Sequence, residues 1–374
     1  MNLTWADHLD AIAAAPDDDA PRLVCADWLM QRGDPRGEYI ALCLDQLPTP
    51  EKLSRLAAVK AENDWLTPLL GEGAQSFNAR VDGVPEFTRG FVESVGFFGR
   101  DVANLGAVLR REPITSLRLT SGGTGPLARA GSEPELKRVH TLRLDGRHTE
   151  GTAAVLAAPL DALRTLWMTN FTDADAQGAA RGTGKPESFS AGARDLTTGA
   201  GLGAFLSRVT ELSLTSVSSG VVTTLELPEV MHTLAFHQSP LSPAAMHALG
   251  PRLDHLSVFA CTAFPTHATV PTLDRDSVRA LITHVKSGRL VKLDLHGMSS
   301  PAFEELVCSP VMKGVHELDL SDGSLTADLA RALMRSDWLG ELRLLVVREN
   351  PLEVTSRLVL PGVSINDRRT ELWD

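Results

Sequence analysis

The sequence predicts an α/β fold: a solenoid with a curved parallel sheet and helices on its convex side, preceded by a small all-α domain. One six-residue pattern, apolar-x-x-apolar-x-apolar, returns nine times, mostly at spacings of 22 to 25 residues. Residues 1–74 do not follow this period and carry apolar residues at helical spacing instead. The nine copies begin at Ile114, Val139, Leu163, Val209, Met231, Leu253, Leu290, Val315 and Leu339.

The N-terminal domain is predicted to span residues 1–74 and to contain four helices. Trp5, Leu9 and Ile12 form an apolar stripe at helical spacing behind Thr4, a residue type that caps helices. Further stripes follow residues 16–19 (P-D-D-D), 33–35 (G-D-P) and 48–50 (P-T-P). Because Pro and Gly interrupt helices, each of these stretches separates two helices.

Two runs in this part of the chain are specific. The run P-D-D-D-A-P-R-L-V-C-A-D-W-L at residues 16–29 is followed by R-G-D-P-R-G-E-Y-I at residues 32–40, and R-G-F-V-E-S-V occupies residues 89–95. They resemble the bacterial "repeat-companion" domain and the stretch that leads such proteins into their repeats. The resemblance implies a bacterial protein in which leucine-rich or other repeats follow. It implies no activity.

The charged residues of the second run could have two roles. Asp27, Arg32, Asp34, Arg36 and Glu38 alternate in sign across a helix–turn–helix. A catalytic role would need a carboxyl group with a raised pKa in a pocket. The simpler interpretation is that these residues cap helices, pair with each other or dock against the first repeat.

The repeat region is predicted to span residues 75–374. Units with one strand and one helix fit the leucine-rich repeat. The 46-residue step from Leu166 to Leu212 equals two units of 23, and a degenerate strand is expected at residues 188–191. Residues 171–208 are rich in small residues, which suggests a partly flexible insertion. A second insertion is expected near residues 262–273, and a terminal cap from Leu358 to Trp373.

Position nine of the unit, normally Asn or Cys, departs from the usual pattern. In the nine copies only Cys261 conforms. Without a ladder of buried asparagines, the backbone groups of the turns must bond to water or to each other. We therefore expect a solenoid that is less regular than one with an asparagine ladder.

Composition and motifs exclude several classes of function. The formal charge of -11 argues against a protein that coats nucleic acid. Four cysteines without paired spacing favour a reducing compartment, and neither a signal peptide nor a membrane span is visible, so a cytoplasmic protein is expected. The common zinc, redox and serine-hydrolase motifs are absent. We therefore expect no catalytic residues, no cofactor and no bound metal.

The candidate site is the concave face of the sheet. Side chains beside the two strand anchors point away from the core. One column of this face contains Arg118, Arg143, Trp167, Asp294, Asp319 and Arg343. The next contains His237, Phe259 and His296, with His255 beside them.

These columns predict a binding face for a protein partner, because Trp and Arg are the residues that most often anchor interfaces. Stacking of Trp167 on Arg143 between repeats is an alternative role for that pair. The histidines could be ordinary contact residues or a metal or small-ligand sensor. A further alternative is that the helical domain carries an activity or signal, and the repeats select its target.

Overall fold

The computed structural model describes residues 3–45, 47, 49–63, 65, 87–98, 102, 104–120, 124–146, 149–239, 241–262, 273–285, 288–348, 350 and 363–366. The predicted domain boundary at residue 74, most of the insertion predicted near residues 262–273 and most of the predicted terminal cap lie outside these ranges. The chain divides into two compact units. Unit 1 comprises residues 1–169 and 174–186, and unit 2 comprises residues 170–173 and 187–374.

The described part of the N-terminal helical region contains four helices. They are α1 (Trp5–Ala14), α2 (Ala20–Met30), α3 (Pro35–Cys43) and α4 (Pro50–Glu62). Thr4 and Asp7 form a capping box at α1, while Asp34 and Thr49 cap α3 and α4 through their side chains. These caps satisfy backbone N–H groups that have no partner within the helix.

The strands form one antiparallel pair and one large parallel sheet. Strands β1 (Phe87–Thr88) and β2 (Phe91–Val92) pair antiparallel. The other twelve form a parallel sheet in strict chain order. They are β3 (Ser94–Phe98), β4 (Ser116–Thr120), β5 (Thr141–Asp145), β6 (Thr165–Met168), β7 (Ser188–Gly192), β8 (Glu211–Thr215), β9 (Thr233–His237), β10 (Val258–Thr262), β11 (Lys292–Leu295), β12 (Glu317–Asp319), β13 (Leu344–Val346) and β14 (Ser364–Asn366).

A helix follows most strands. These helices are α5 (Leu105–Arg111), α6 (Thr124–Ala130), α7 (Thr149–Leu156), α8 (Asp173–Arg181), α9 (Gly203–Leu206), α10 (Ser219–Thr224), α11 (Pro243–Leu249), α12 (Arg275–His284), α13 (Ser300–Val307) and α14 (Ala327–Met334). Short 3₁₀ segments lie at Pro134–Arg138, Gly250–His255, Pro310–Met312 and Asp337–Glu341. Helices of neighbouring repeats pack side by side, as α6 does with α7 and α11 with α12. The predicted α/β solenoid architecture is confirmed. None of the helices in the described ranges is both long and apolar enough to span a bilayer.

The degenerate strand predicted at residues 188–191 is present as β7. It pairs with β8, placing Phe189 opposite Leu212 and Ala191 opposite Leu214. Residues 171–208 therefore contain α8, β7 and α9, in the strand-and-helix order of the other repeats, and the partial flexibility expected there stays a prediction. Phe171, Phe189 and Phe205 pack together in unit 2, with ring centroids 5.2 to 6.4 Å apart. These rings form the hydrophobic core of this stretch, whose other residues are mostly small.

Two copies of the pattern are displaced by three residues from the predicted register. In β10, Phe259 lies opposite Leu234 and Leu293. In β13, Leu345 lies opposite Leu318. Because leucines recur three residues apart in both copies, the pattern fits two registers. In the structure the first leucine of each copy, Leu253 or Leu339, lies in the 3₁₀ segment that precedes the strand. The backbone N–H groups of Leu256 and Leu342 bond to the carbonyls three residues earlier.

The corrected register also changes position nine. In this register Cys261 is a buried strand residue, and Asn350 occupies position nine of the last repeat. The Asn350 side chain is buried, donates to the Leu320 carbonyl at 2.8 Å and accepts from the Leu325 N–H at 3.2 Å. Ser239 has a similar role, since its hydroxyl accepts from the Val217 N–H at 3.0 Å. Buried side chains therefore form hydrogen bonds with the backbone groups of some of these turns.

Candidate partner-binding face

The open face of the sheet is formed by the side chains that alternate with the buried anchors. Each strand contributes up to three positions, as the burial of β4, β5 and β8 shows. In unit 1 the register aligns Arg118 with Arg143 and Arg143 with Trp167, so the predicted column exists there. We call the side chains of Arg118, Arg143, Asp145, Trp167 and Thr169 the unit 1 cluster.

Asp145 is the centre of the unit 1 cluster. Its Oδ2 accepts from Arg118 Nε at 2.5 Å, and its Oδ1 accepts from Arg143 Nε at 3.1 Å. The Thr169 hydroxyl donates to Oδ1 at 3.3 Å. The Asp145 side chain is only 12% exposed, whereas Arg143 is 44% exposed. A largely buried carboxylate thus fixes two arginines at the surface through charge-assisted hydrogen bonds.

Arg143 also stacks on Trp167. The guanidinium carbon lies 4.0 Å from the ring centroid, well within the range of a cation–π contact. The stacking role considered for this pair is therefore present. Because Trp167 stays partly exposed and Arg143 keeps 44% of its side chain in solvent, the pair is also accessible. The two predicted roles are compatible.

In unit 2, acidic side chains lie on the open face of β11 and β12. Asp294 and Asp319 are aligned, and so are Lys292 and Glu317 on the same strands. Lys292 Nζ lies 3.7 Å from Asp294 and 3.6 Å from Glu317. Burial raises the pKa of Asp294, an effect that the charge of Lys292 reduces.

His296 lies between two carboxylates on this face. Its Nε2 is 3.2 Å from Asp319 and its Nδ1 is 3.4 Å from Asp322. Burial alone would lower the pKa of His296, but the hydrogen bond to Asp319 and the nearby negative charges outweigh burial and raise it. Burial would likewise raise the pKa of Asp319, but the hydrogen bonds from His296 and Ser321 lower it. The pair thus favours its charged form.

The three histidines of the sensor hypothesis are not brought together. His237 aligns with Thr262, and its Nδ1 lies 2.8 Å from the Thr262 hydroxyl, so strand β10 separates it from His296, which follows β11. Burial lowers the pKa of His237, and the charge of His296 adds to the effect. His255 is exposed at the end of the 3₁₀ segment before β10. Nowhere in the described ranges do three or more His, Cys, Asp or Glu residues form a group that could hold a metal ion.

Two residues predicted for the open face are not in its columns. Phe259 is fully buried as a strand anchor, with its ring 6.5 Å from that of Phe236. Ala260 takes the open-face position instead. Arg343 is exposed but precedes β13, and Val346 is the residue aligned with Asp319. Both errors follow from the three-residue shift of register.

The sequence places Asp145 and Thr169 in an open-face column, but they were not selected as site residues, and Asp322 was missed. Asp145 and Thr169 occupy the same repeat position as His237 and His296, so the repeat alignment contained a signal. The ion pairs that make Asp145 central depend on side-chain geometry, which the alignment does not provide.

The charged run at residues 27–38 is largely engaged in structural contacts. Asp34 accepts from the Arg36 N–H at 2.9 Å, Arg32 stacks on Trp28 at 3.7 Å, and Glu38 accepts two hydrogen bonds from Arg55 at 2.7 Å. The Asp34 contact matches the predicted capping, whereas Arg32 and Glu38 contact Trp28 and Arg55 and not another charged residue of the run.

The helical region is also tied to the first repeat. Arg36 reaches Glu112 at 2.6 Å, and the fully buried Arg22 reaches Glu93 at 2.6 Å. Phe91 packs into the helical core beside Leu9 and Ile40. The segment at residues 89–95 therefore joins the helices to the repeats within unit 1.

Comparison with protein-family models finds no match, and comparison with curated proteins finds no relative. The resemblance to the repeat-companion domain stays a prediction.

Proposed function

We propose that this chain is a leucine-rich-repeat protein without enzymatic activity that binds a protein partner on the open face of unit 1. The exposed Arg143–Trp167 pair, held in place by Asp145, carries this proposal. Arg and Trp are enriched among the residues that dominate interface energies, where truncation typically costs about 2 kcal/mol or more. A fixed pair also loses little side-chain entropy when a partner binds.

We further propose that the protein acts in the bacterial cytoplasm as an adaptor or scaffold, with the helical region as a structural companion of the repeats. The bacterial origin rests on the resemblance in residues 16–40 and 89–95. The location rests on the four cysteines, Cys25, Cys43, Cys261 and Cys308, all of which are free thiols. The contacts of Arg22 and Arg36 with the first repeat support the structural role of the helices.

Affinity capture from host lysate with quantitative mass spectrometry tests the proposal. The wild-type chain is compared with Trp167→Ala and with Arg110→Glu, a matched surface change on helix α5, where the Arg110 side chain is 57% exposed. We expect at least one protein to be enriched by the wild type and by Arg110→Glu, and to be reduced tenfold or more by Trp167→Ala. Equal capture by all three chains would refute the use of this face.

A further inference from the structure

We infer that His247 and His284 together bind a Zn²⁺ ion, and that this ion joins two neighbouring repeats of unit 2. The two residues belong to helices α11 and α12, so the inference does not depend on the proposed function. It is carried by the distance between two imidazole nitrogens and by the packing that holds one of the rings in place.

The two nitrogens are spaced as ligands of a single ion. Nδ1 of His247 lies 3.4 Å from Nε2 of His284, and the rings meet at 89°, so they do not stack. This spacing is long for a hydrogen bond, whose N and O atoms are usually about 2.7 to 3.2 Å apart. Two nitrogens that bind one tetrahedral zinc ion, each at about 2.0 to 2.1 Å, are about 3.4 Å from each other. The observed spacing therefore matches the one that the ion requires.

Regular structure places both rings. His247 lies in the last turn of α11 and His284 is the last residue of α12, and these two helices pack side by side. The His284 ring lies against Gly250, the residue after α11, where a Cβ atom would overlap the ring. Glycine at this position therefore lets the His284 ring approach α11. The negative end of the α12 dipole also favours a cation at His284.

The donor atoms select the class of ion. Imidazole is a ligand for Zn²⁺, Cu²⁺ and Ni²⁺, whereas Mg²⁺ and Ca²⁺ prefer oxygen. Cu²⁺ and Ni²⁺ favour square arrangements, in which neighbouring nitrogens are about 2.9 Å apart, so the spacing of this pair favours Zn²⁺. In the described ranges no third His, Cys, Asp or Glu completes the site. Because His247 is exposed and His284 is half-buried, water can occupy the remaining coordination positions.

An ion at this site links two repeats. The two histidines are 37 residues apart in the sequence, so no short motif contains the pair. The unfolded chain does not hold two histidines at this spacing, and Zn²⁺ therefore binds the folded chain more tightly. Binding that prefers the folded chain stabilises it in proportion to the logarithm of the ion concentration.

Isothermal titration calorimetry of the full-length chain with ZnCl₂ tests the inference, and MgCl₂ provides the comparison ion. His247→Gln and His284→Gln each remove one ligand. The control is His255→Gln, which removes an exposed histidine of unit 2 that has no hydrogen bond to another histidine among the described residues. Circular dichroism of each variant shows whether the fold is retained.

We expect the wild type to bind one Zn²⁺ ion at this site and to bind no Mg²⁺ there. Either ligand variant should weaken the zinc affinity by about tenfold or more, because a single imidazole provides only one of the two bonds. His255→Gln should keep the affinity within about twofold of the wild type. ZnCl₂ should also raise the Tm of the wild type and of His255→Gln more than that of either ligand variant.

Absence of a zinc site in the wild type, or equal zinc affinities of His247→Gln and the wild type, would overturn the inference. So would a loss of affinity in His255→Gln as large as that in His247→Gln, because the zinc would then bind elsewhere. The His247 side chain is exposed, so its replacement leaves the core intact and keeps the test decisive even where His284→Gln fails to fold.

Discussion

Individual ion pairs on the open face change the pKa values of the side chains that form them, and His296 shows this most clearly. Each of its ring nitrogens lies within 3.4 Å of a carboxylate, so the protonated ring is the form that the structure stabilises. The raised pKa means that the folded chain holds this proton more tightly than the unfolded chain does. Protonation of His296 therefore stabilises the fold.

The sign of this effect gives a pH dependence for His296→Gln. The stabilisation is fully present below the unfolded pKa of about 6.5, and it is lost as the pH rises through the raised folded pKa. We expect His296→Gln to lower the free energy of unfolding more at pH 5.5 than at pH 8.5. Urea denaturation of both chains at the two pH values measures this difference. An equal loss at both values would contradict the ion-pair description.

The same comparison controls for the other histidines. Burial lowers the pKa values of His8, His140 and His237, so these residues remove stability as the pH falls below about 6.5. The effects of His8 and His140 are common to the wild type and the variant and cancel in the difference, whereas the effect of His237 is coupled to the charge of His296.

Among the elements, the turns after the strands share one backbone feature. The residue that follows the third open-face position has a positive φ in several repeats: 60° at Ser216, 52° at Gln238, 70° at Gly297 and 58° at Asp322. This conformation costs a side-chain-bearing residue about 1 kcal/mol and costs glycine little. The turn geometry is thus a property of the repeat, and only Gly297 among these four residues adopts it without strain.

Gly297→Ala should therefore lower the free energy of unfolding by about 1 kcal/mol. Gly220→Ala in helix α10 is the matched control in the same unit. A Cβ atom there meets nothing nearer than the Ser218 hydroxyl at 3.9 Å, so it should raise the free energy of unfolding by about 0.5 to 1 kcal/mol. Chemical denaturation of both variants measures the two changes. A neutral Gly297→Ala would show that the left-handed turn is not required.

The elements also show how far the sequence allows prediction. The period located β7 at Ser188–Gly192, although its anchors, Phe189 and Ala191, are not leucines. The same period predicted the wrong register for β10 and β13. Leucines three residues apart fit two registers there, and the sequence does not reveal that the first leucine lies in a 3₁₀ segment. Within the site, the columns of unit 1 were predictable. The bonds from Asp145 to Arg118 and Arg143 were not, since they depend on rotamers.

At the scale of the whole molecule, the helical region is part of unit 1 and not an addition to it. Glu112 is 1% exposed and accepts hydrogen bonds from both Arg36 and the Val92 N–H. It belongs to the first repeat, whereas Arg36 belongs to α3. Their ion pair, together with Arg22–Glu93, connects the two regions through buried charges.

Breaking this pair tests the connection. Arg36→Met leaves the Glu112 carboxylate buried without its cation, and should lower the free energy of unfolding by about 3 kcal/mol. Adding Glu112→Gln removes the uncompensated charge and should restore part of the loss. Thermal and urea denaturation of the single and double variants measure both effects. A loss below about 1 kcal/mol for Arg36→Met would mean that the helices do not depend on this contact.

The most direct test of the proposed function is hydroxyl-radical footprinting of the full-length chain with and without its captured partner. Trp167 is reactive and accessible, and Trp28 in the helical region serves as the internal control. We predict that the partner lowers the oxidation of Trp167 several-fold and leaves Trp28 unchanged. Unchanged oxidation of Trp167 with a bound partner would contradict the account and would move the binding surface away from the open face of unit 1.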